Sequence, residues 1–358
     1  MIAAHEPVQR PANAKLLMLD ACGGIRHLAR EGLVSLLRHG DLVIANDAAT
    51  LPASLHGVHE RTGRPIEVRL AQRKSLDPDD VHEFVAVIFG EGDYHTRTED
   101  RAPPPRMRVG DLLVLGPLRA TVVGFVNTST CLSIRFEGSA QSIWAGLANH
   151  GRPIQYAHML TGLQLWDVWT PIAGMPAAFE PPSAGFALDW KSLAEMRERG
   201  IEFATLTHAA GISSTGDEVL DRMLPLDEPY RIPQSTAQAI ARAKARGSRI
   251  IAVGTTVVRA LESAATKEGA VKAGPGLATQ RLGPRTRLRI VDAILSGTHD
   301  PGTSHYELLG AFAERKTLEE ADAALERHGY RTHEFGDSVL IEKRGNCHRG
   351  RIGEVSLS

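Results

Sequence analysis

Polar side chains that close short apolar runs are the first candidates for chemistry in this chain. Residues 248–265 read SRIIAVGTTVVRALESAA. The run Ile250 to Val253 has the composition of a buried strand, and Gly254 makes a turn. Thr255 and Thr256 then stand where a helix N-cap belongs, with Arg259 and Glu262 on the helix beyond. Free backbone N–H groups and the helix dipole at such a start attract an anion, so a carboxylate or phosphate can dock there with the threonine hydroxyls and Arg259 as partners. An ordinary capped strand-to-helix turn has the same appearance.

Two further units have this form. In DWKSLAEMRERG followed by IEFATLTHAAGISSTG, Asp189 caps a helix, Gly200 ends it, a strand runs to Leu206 and His208 falls just past it. In RIVDAILSGTHDPGTSHYELLGAF, a strand runs to about Leu295. His299 and Asp300 occupy a Gly/Pro-bounded loop, and a helix begins near Ser304. Ligands of an open parallel α/β sheet bind outside the carboxyl ends of its strands. If these three strands are parallel, His208, Thr255 and His299 share one rim and make a pocket. Taken singly, each histidine reads more readily as a surface or capping residue.

The elements that must position these groups are read from texture. Leu16 to Ile44 reads strand, Gly23-Gly24 turn, helix (LAREGLVSLL), strand. Leu55 to Glu137 holds short β-type runs broken by Gly, Pro and charged turns, which suggests a small barrel. After Ile143, strands alternate with helical segments, the pattern of a mostly parallel sheet covered by helices. The expected fold is therefore α/β: a large discontinuous domain, residues 1–55 and 143–358, carrying an inserted β-barrel over 56–142. The Pro/Gly/Ala-rich stretch Pro171 to Pro182 reads as an ordered loop near the junction.

Composition limits the partners. The 358 residues hold 41 Lys+Arg against 42 Asp+Glu, a formal net charge of -1. No global basic field exists to hold a polyanion, so any nucleic-acid contact must be local. RLGPRTRLR at 281–289 and KRGNCHRGR at 343–351 can touch phosphates, although no aromatic residue interleaves for base stacking and a solvated face is the commoner explanation. Cys22, Cys131 and Cys347 lie far apart with no metal-ligand spacing and read as reduced thiols. The N-terminus has no signal-type apolar region, and no apolar run approaches the roughly 18 residues of a membrane span. A soluble, cytoplasmic protein without a membrane partner is expected. No P-loop and no GxGxxG opening a βαβ unit is present.

The same residues carry a family likeness. IAVGTTVVRALESAA resembles the GTTSVR-LE segment of S-adenosylmethionine:tRNA ribosyltransferase-isomerases, the enzymes that make epoxyqueuosine in tRNA. GDLVIANDAATLPASLHG resembles their GDLLV-NNTRV-PARL-G block, PPSAGFALDW their PTAGLHF motif, and TLTHAAGISST their VTLHVG-GTF motif. AILSGTHDPGTS is similar to TNFH-P-ST, FGDSVLI to YGDAM-I, and AAHEPVQRPANAKLLMLD to the segment around RLL-LD. Together these blocks run in the family's order over nearly the whole chain.

The resemblance implies a large α/β domain with an inserted barrel. It implies that the ribosyl part of S-adenosylmethionine is transferred to a 7-aminomethyl-7-deazaguanine base in tRNA and rearranged to an epoxycyclopentane, releasing adenine and methionine. S-adenosylmethionine is then a substrate, with no permanently bound cofactor and no metal required. tRNA is the partner, and a monomer is the plausible assembly, although oligomeric state stays open. Such chemistry needs a base for the carbon beside the sulfonium, an acid for adenine departure and an anchor for the donor's amino-acid end. By resemblance, Thr255, Thr256 and Arg259 anchor, His208, His299 and Glu228 supply acid/base groups, and Asn46, Ser183, Gly185 and Gly254 bind substrate.

Departures stand beside the likeness. The family's Asn-Asn-Thr-Arg becomes Asn46-Asp47-Ala48-Ala49, its PTAGLHF becomes Pro182-Ser183-Ala184-Gly185-Phe186-Ala187-Leu188, and its His-Ser-Glu becomes Leu226-Asp227-Glu228. An Arg and two His are thereby absent, and the VGAGTF loop is rewritten as Ala209 to Ser214. Two alternatives are consistent with these changes: a relative that consumes S-adenosylmethionine but serves a small-molecule acceptor, and a non-catalytic RNA-binding relative.

Overall fold

The structure, a computed structural model, describes residues 1–126 and 128–345. A nine-stranded sheet forms its backbone, in the spatial order Gly274–Ala278, Glu228–Ile232, Glu202–His208, Leu42–Asn46, Ile250–Val253, Ala293–Gly297, Ser338–Glu342, Lys15–Leu19 and Ile25–Ala29. The four central strands, from Glu202–His208 to Ala293–Gly297, are mutually parallel; antiparallel pairs extend the sheet on both sides, with Ser338–Glu342 and Lys15–Leu19 parallel to each other. The parallel part lies where helices cover both faces.

Alternation along each central strand feeds two cores. Ile250 and Ala252 join Ile44, Leu206 and Ile294 on one face, beneath Val257, Val258 and Leu261 of the Thr255–Ser263 helix and Ala239 and Ile240 of the Gln234–Ala245 helix. Ile251 and Val253 join Val43, Ala45 and Leu295 on the other, beneath Leu33, Val34 and Met196. Strands apolar at every position are what burial on both faces requires.

Six antiparallel strands between Ser54 and Phe136 close a barrel, in the order Leu118–Val126, Thr128–Phe136, Glu83–Phe89, Arg64–Gln72, Ser54–His59 and Leu112–Leu115. Its interior is apolar, with Val68, Leu70, Phe84, Ile88, Leu113 and Leu132 fully buried. A charged group sits at one end. Glu67 is buried between Arg69, at 2.7 Å, and Arg101. Burial pushes the Glu67 carboxyl up, but the two guanidiniums outweigh it and hold the group at about 2.

Several local expectations are corrected. Gly23, at φ +86°, turns the chain so that Ile25–Ala29 returns antiparallel on Lys15–Leu19, and the next element is only a short 3-10 helix, Arg30–Leu36. The Pro171 to Pro182 loop contains a strand, Pro176–Ala178, parallel to Ala49–Thr50. Cys22 is disulfide-bonded, contrary to the expectation of three reduced thiols, while Cys131 is free and buried. Cys347 and the basic tail from residue 346 lie outside the described residues. Among the described residues, no helix is long and apolar enough to cross a membrane.

Candidate functional site

The carboxyl ends of the parallel strands open on a cavity of about 620 Å³, within the range of small-ligand sites. At its floor the Ile250–Val253 strand turns into the Thr255–Ser263 helix through Gly254. Gly254 is itself the N-cap, at φ +95° and ψ 154°, a conformation open essentially to glycine alone. Thr255 and Thr256 are therefore the first helical residues rather than caps. No side chain caps this helix start, so the N–H groups of its first turn are left to a ligand where Thr255 and Thr256 line the cavity. Asn46 Nδ2 reaches the Thr256 hydroxyl at 3.4 Å, and Thr255 Oγ1 lies 2.9 Å from His305 Nδ1.

Glu228 and Arg259 form a buried ion pair on the same wall. The second carboxylate oxygen of Glu228 accepts from Gly211 N at 2.6 Å. A Cβ at Gly211 would lie 2.9 Å from Ala71 O, so this approach requires glycine. Arg259 also donates to the carbonyls of Leu226, Ala278 and Gln280 at 3.0–3.3 Å. Four of its five N–H groups are thus engaged within the protein. Burial pulls its guanidinium down to about 10, which leaves it a cation at neutral pH.

His299 and His305 flank the start of the Ser304–Leu309 helix, with stacked rings 5.0 Å apart. A His299 ring nitrogen lies 2.8 Å from the Ser296 hydroxyl. Burial drives both imidazoles down, His299 well below its ordinary range and His305 to about 4, so both are neutral bases. Across the cavity, Glu180 accepts from the Tyr156 hydroxyl and from Ser213 N at 3.0 Å. Burial raises this carboxyl to about 7, which makes it a proton donor near neutrality. His158, His333 and Glu334 complete that side.

Of the expected site residues, Glu228, Ser183, Gly254, Thr255, Thr256, Arg259 and His299 line one cavity. Asn46, Gly185 and His208 do not. Asn46 is a buried brace that receives His208 N and donates to His208 O. Gly185 packs on Thr170, where a Cβ would approach to 2.9 Å. His208 ends its strand, paired with Tyr230 and fully buried, with Nε2 3.4 Å from Glu228 but no hydrogen bond at either ring nitrogen. Burial and the Arg259 charge hold it neutral behind Glu228. Tyr156, Glu180 and His305 are cavity residues that the sequence pattern does not single out. Two of them carry a faint signal: His305 lies six residues beyond His299 across a helix start, and Glu180 is an acid inside an apolar Pro-rich loop.

Comparison with known proteins bears on the whole chain. The model of the family described as queuosine biosynthesis protein matches residues 1–341. This chain belongs to that family. The S-adenosylmethionine:tRNA ribosyltransferase-isomerase of Sorangium cellulosum is 33% identical over 362 residues, covering 95% of each chain. That of Gloeobacter violaceus is 32% identical, covering 94% of this chain and 92% of its own. Among solved structures, the S-adenosylmethionine tRNA ribosyltransferase of Thermotoga maritima shares the fold at a TM-score of 0.50 and 22% identity, covering 95% and 96%. In this family member, then, the α/β sheet with its barrel is the family fold.

Proposed function

We propose that this chain is an S-adenosylmethionine-dependent tRNA ribosyltransferase-isomerase. It transfers the donor's ribosyl group to 7-aminomethyl-7-deazaguanine in tRNA and rearranges it to the epoxycyclopentane of epoxyqueuosine, releasing adenine and methionine. The observation that carries this reading is one cavity joining an uncapped helix start, neutral histidines and a carboxyl group poised near pH 7. Relatives covering nearly the whole chain bear the corresponding name.

In this reading the donor's carboxylate docks on the first turn of the Thr255–Ser263 helix, where backbone N–H groups and the dipole favour an anion. The sulfonium acidifies the neighbouring C5′ carbon, and neutral His299 takes its proton. Glu180 supplies a proton to departing adenine. Arg259 and His208 act through Glu228, the first by pairing with it and the second by lying behind it. tRNA meets the protein locally, and the exposed Arg285, Arg287 and Arg289 are the phosphate contacts. The setting is cytoplasmic.

The test is adenine release from S-adenosylmethionine by the purified protein, with and without tRNA carrying the 7-aminomethyl-7-deazaguanine base. Release that requires this tRNA supports the assignment. Equal release without it indicates donor cleavage that does not use this base, and no release in either sample overturns the assignment.

A further inference from the structure

His158, His333 and Glu334 each bring one ligand atom to the same part of the cavity wall, all within 4.8 Å of one another. They come from distant stretches of chain, one beyond the Ala140–His150 helix and two preceding the Ser338–Glu342 strand. His158 Nε2 lies 3.1 Å from Glu334 Oε2. The His158 and His333 rings stack with centroids 4.2 Å apart and planes 15° from parallel. The His333 ring makes no hydrogen bond with any described residue, so its nitrogens are open to a ligand. Its backbone is the one non-glycine position at positive φ, +68°, among the described residues. The left-handed backbone is unfavourable for a non-glycine residue, and here it presents the His333 ring beside His158 and Glu334.

Two imidazoles and one carboxylate are the donor set of a first-row transition ion with vacant positions, whereas Mg²⁺ and Ca²⁺ take mostly oxygen ligands. We propose that His158, His333 and Glu334 bind one divalent first-row transition cation, Zn²⁺ or a similar ion, whose open positions face the cavity and accept an oxygen or nitrogen of the bound substrate. The site goes beyond the ribosyl-transfer reaction, which needs no metal for any of its proton transfers.

The experiment is a titration of the untagged full chain, stripped with chelator, using Co²⁺ read by visible absorption and Zn²⁺ read by calorimetry. One equivalent is expected to bind. Glu334→Gln and His333→Gly should each weaken binding by about tenfold or more, by loss of a ligand. His333→Gly is the decisive variant, because glycine accepts φ +68° freely and the fold is kept while the ligand is lost. His95→Ala, an exposed histidine elsewhere, should bind as the parent does. Absence of stoichiometric binding, or undiminished binding by His333→Gly and Glu334→Gln, overturns the proposal. Neither S-adenosylmethionine nor tRNA enters the measurement, so its failure is separate from failure of the reaction assignment.

Discussion

Glu180 shows how one residue's environment sets its use. The carboxyl faces Tyr156 and Ser213 directly, with Glu334 contributing further negative charge. Burial dominates and lifts it from 4.5 to about 7. For an acid whose folded pKa is raised, the stability contribution is fully present below about pH 4.5 and is lost as pH rises through 7. Glu180→Gln cannot ionise, so it should gain on the parent by as much as about 3 kcal/mol between pH 4.5 and 8, at 1.36 kcal/mol per unit. Chemical denaturation at the two pH values measures this. The parent's adenine release should fall as pH rises through about 7, and the variant should lack that limb while turning over about 100-fold more slowly. An unchanged profile in Glu180→Gln removes it as the acid.

At the scale of an element, the strand-to-helix turn at Gly254 carries the proposed donor anchor. A Cβ there would meet Ala184 Cβ at 3.5 Å, an ordinary contact, so space does not forbid alanine. The φ of +95° does. Gly254→Ala should cost about 1–3 kcal/mol in denaturant unfolding and raise the KM for S-adenosylmethionine as the first helical turn shifts. The far end of the helix is held differently. Glu262 accepts the backbone N–H groups of Arg289, Ile290 and Val291 at 2.8–3.0 Å, which ties the helix to the arginine-rich segment before the Ala293–Gly297 strand. The same short helix thus presents its N-terminus to a ligand and uses a side chain near its C-terminus to position a basic loop.

Across the whole molecule, the barrel and the sheet meet through charge as well as apolar packing. Arg69 pairs with Glu67 and lies over the rings of Phe89 and Tyr156, at 4.9 and 5.5 Å, so a barrel residue supports a cavity residue. Arg101, the other partner of Glu67, lies just beyond the Arg97 to Glu99 segment that lines the cavity. Glu67→Gln would leave two buried guanidiniums with no carboxylate between them, and a loss of about 3–5 kcal/mol is expected in urea unfolding near neutral pH. Because the folded Glu67 pKa is depressed, its contribution is present above pH 4.5 and vanishes as pH falls through about 2. The deficit of the variant should therefore narrow in acid, and a deficit independent of pH would assign the effect to packing instead.

The strand-turn-helix units at 250–263 and 293–309 are legible in the amino-acid sequence because their signals are local: an apolar run, a glycine where φ must be positive, and polar residues at a helix start. The family blocks and the short runs of the barrel are legible for the same reason. The stretch from Leu28 to Leu37 reads as helix because its apolar spacing fits more than one period, and only the pairing of Ile25–Ala29 with Lys15–Leu19 decides where the strand ends. What the tertiary structure alone decided is which polar groups share a wall and which are charged. Parallel register brings Thr255 and His299 together, while the antiparallel pairing of Glu202–His208 with Glu228–Ile232 buries His208 behind Glu228. Tyr156, Glu180 and His305 reach the cavity from separate segments, and the pairing of Arg259 with Glu228 spans 31 residues. Contacts of that kind leave no periodic trace in the chain. The protonation states proposed for Glu180 and His299 arise from burial, which exists only once the whole chain has folded.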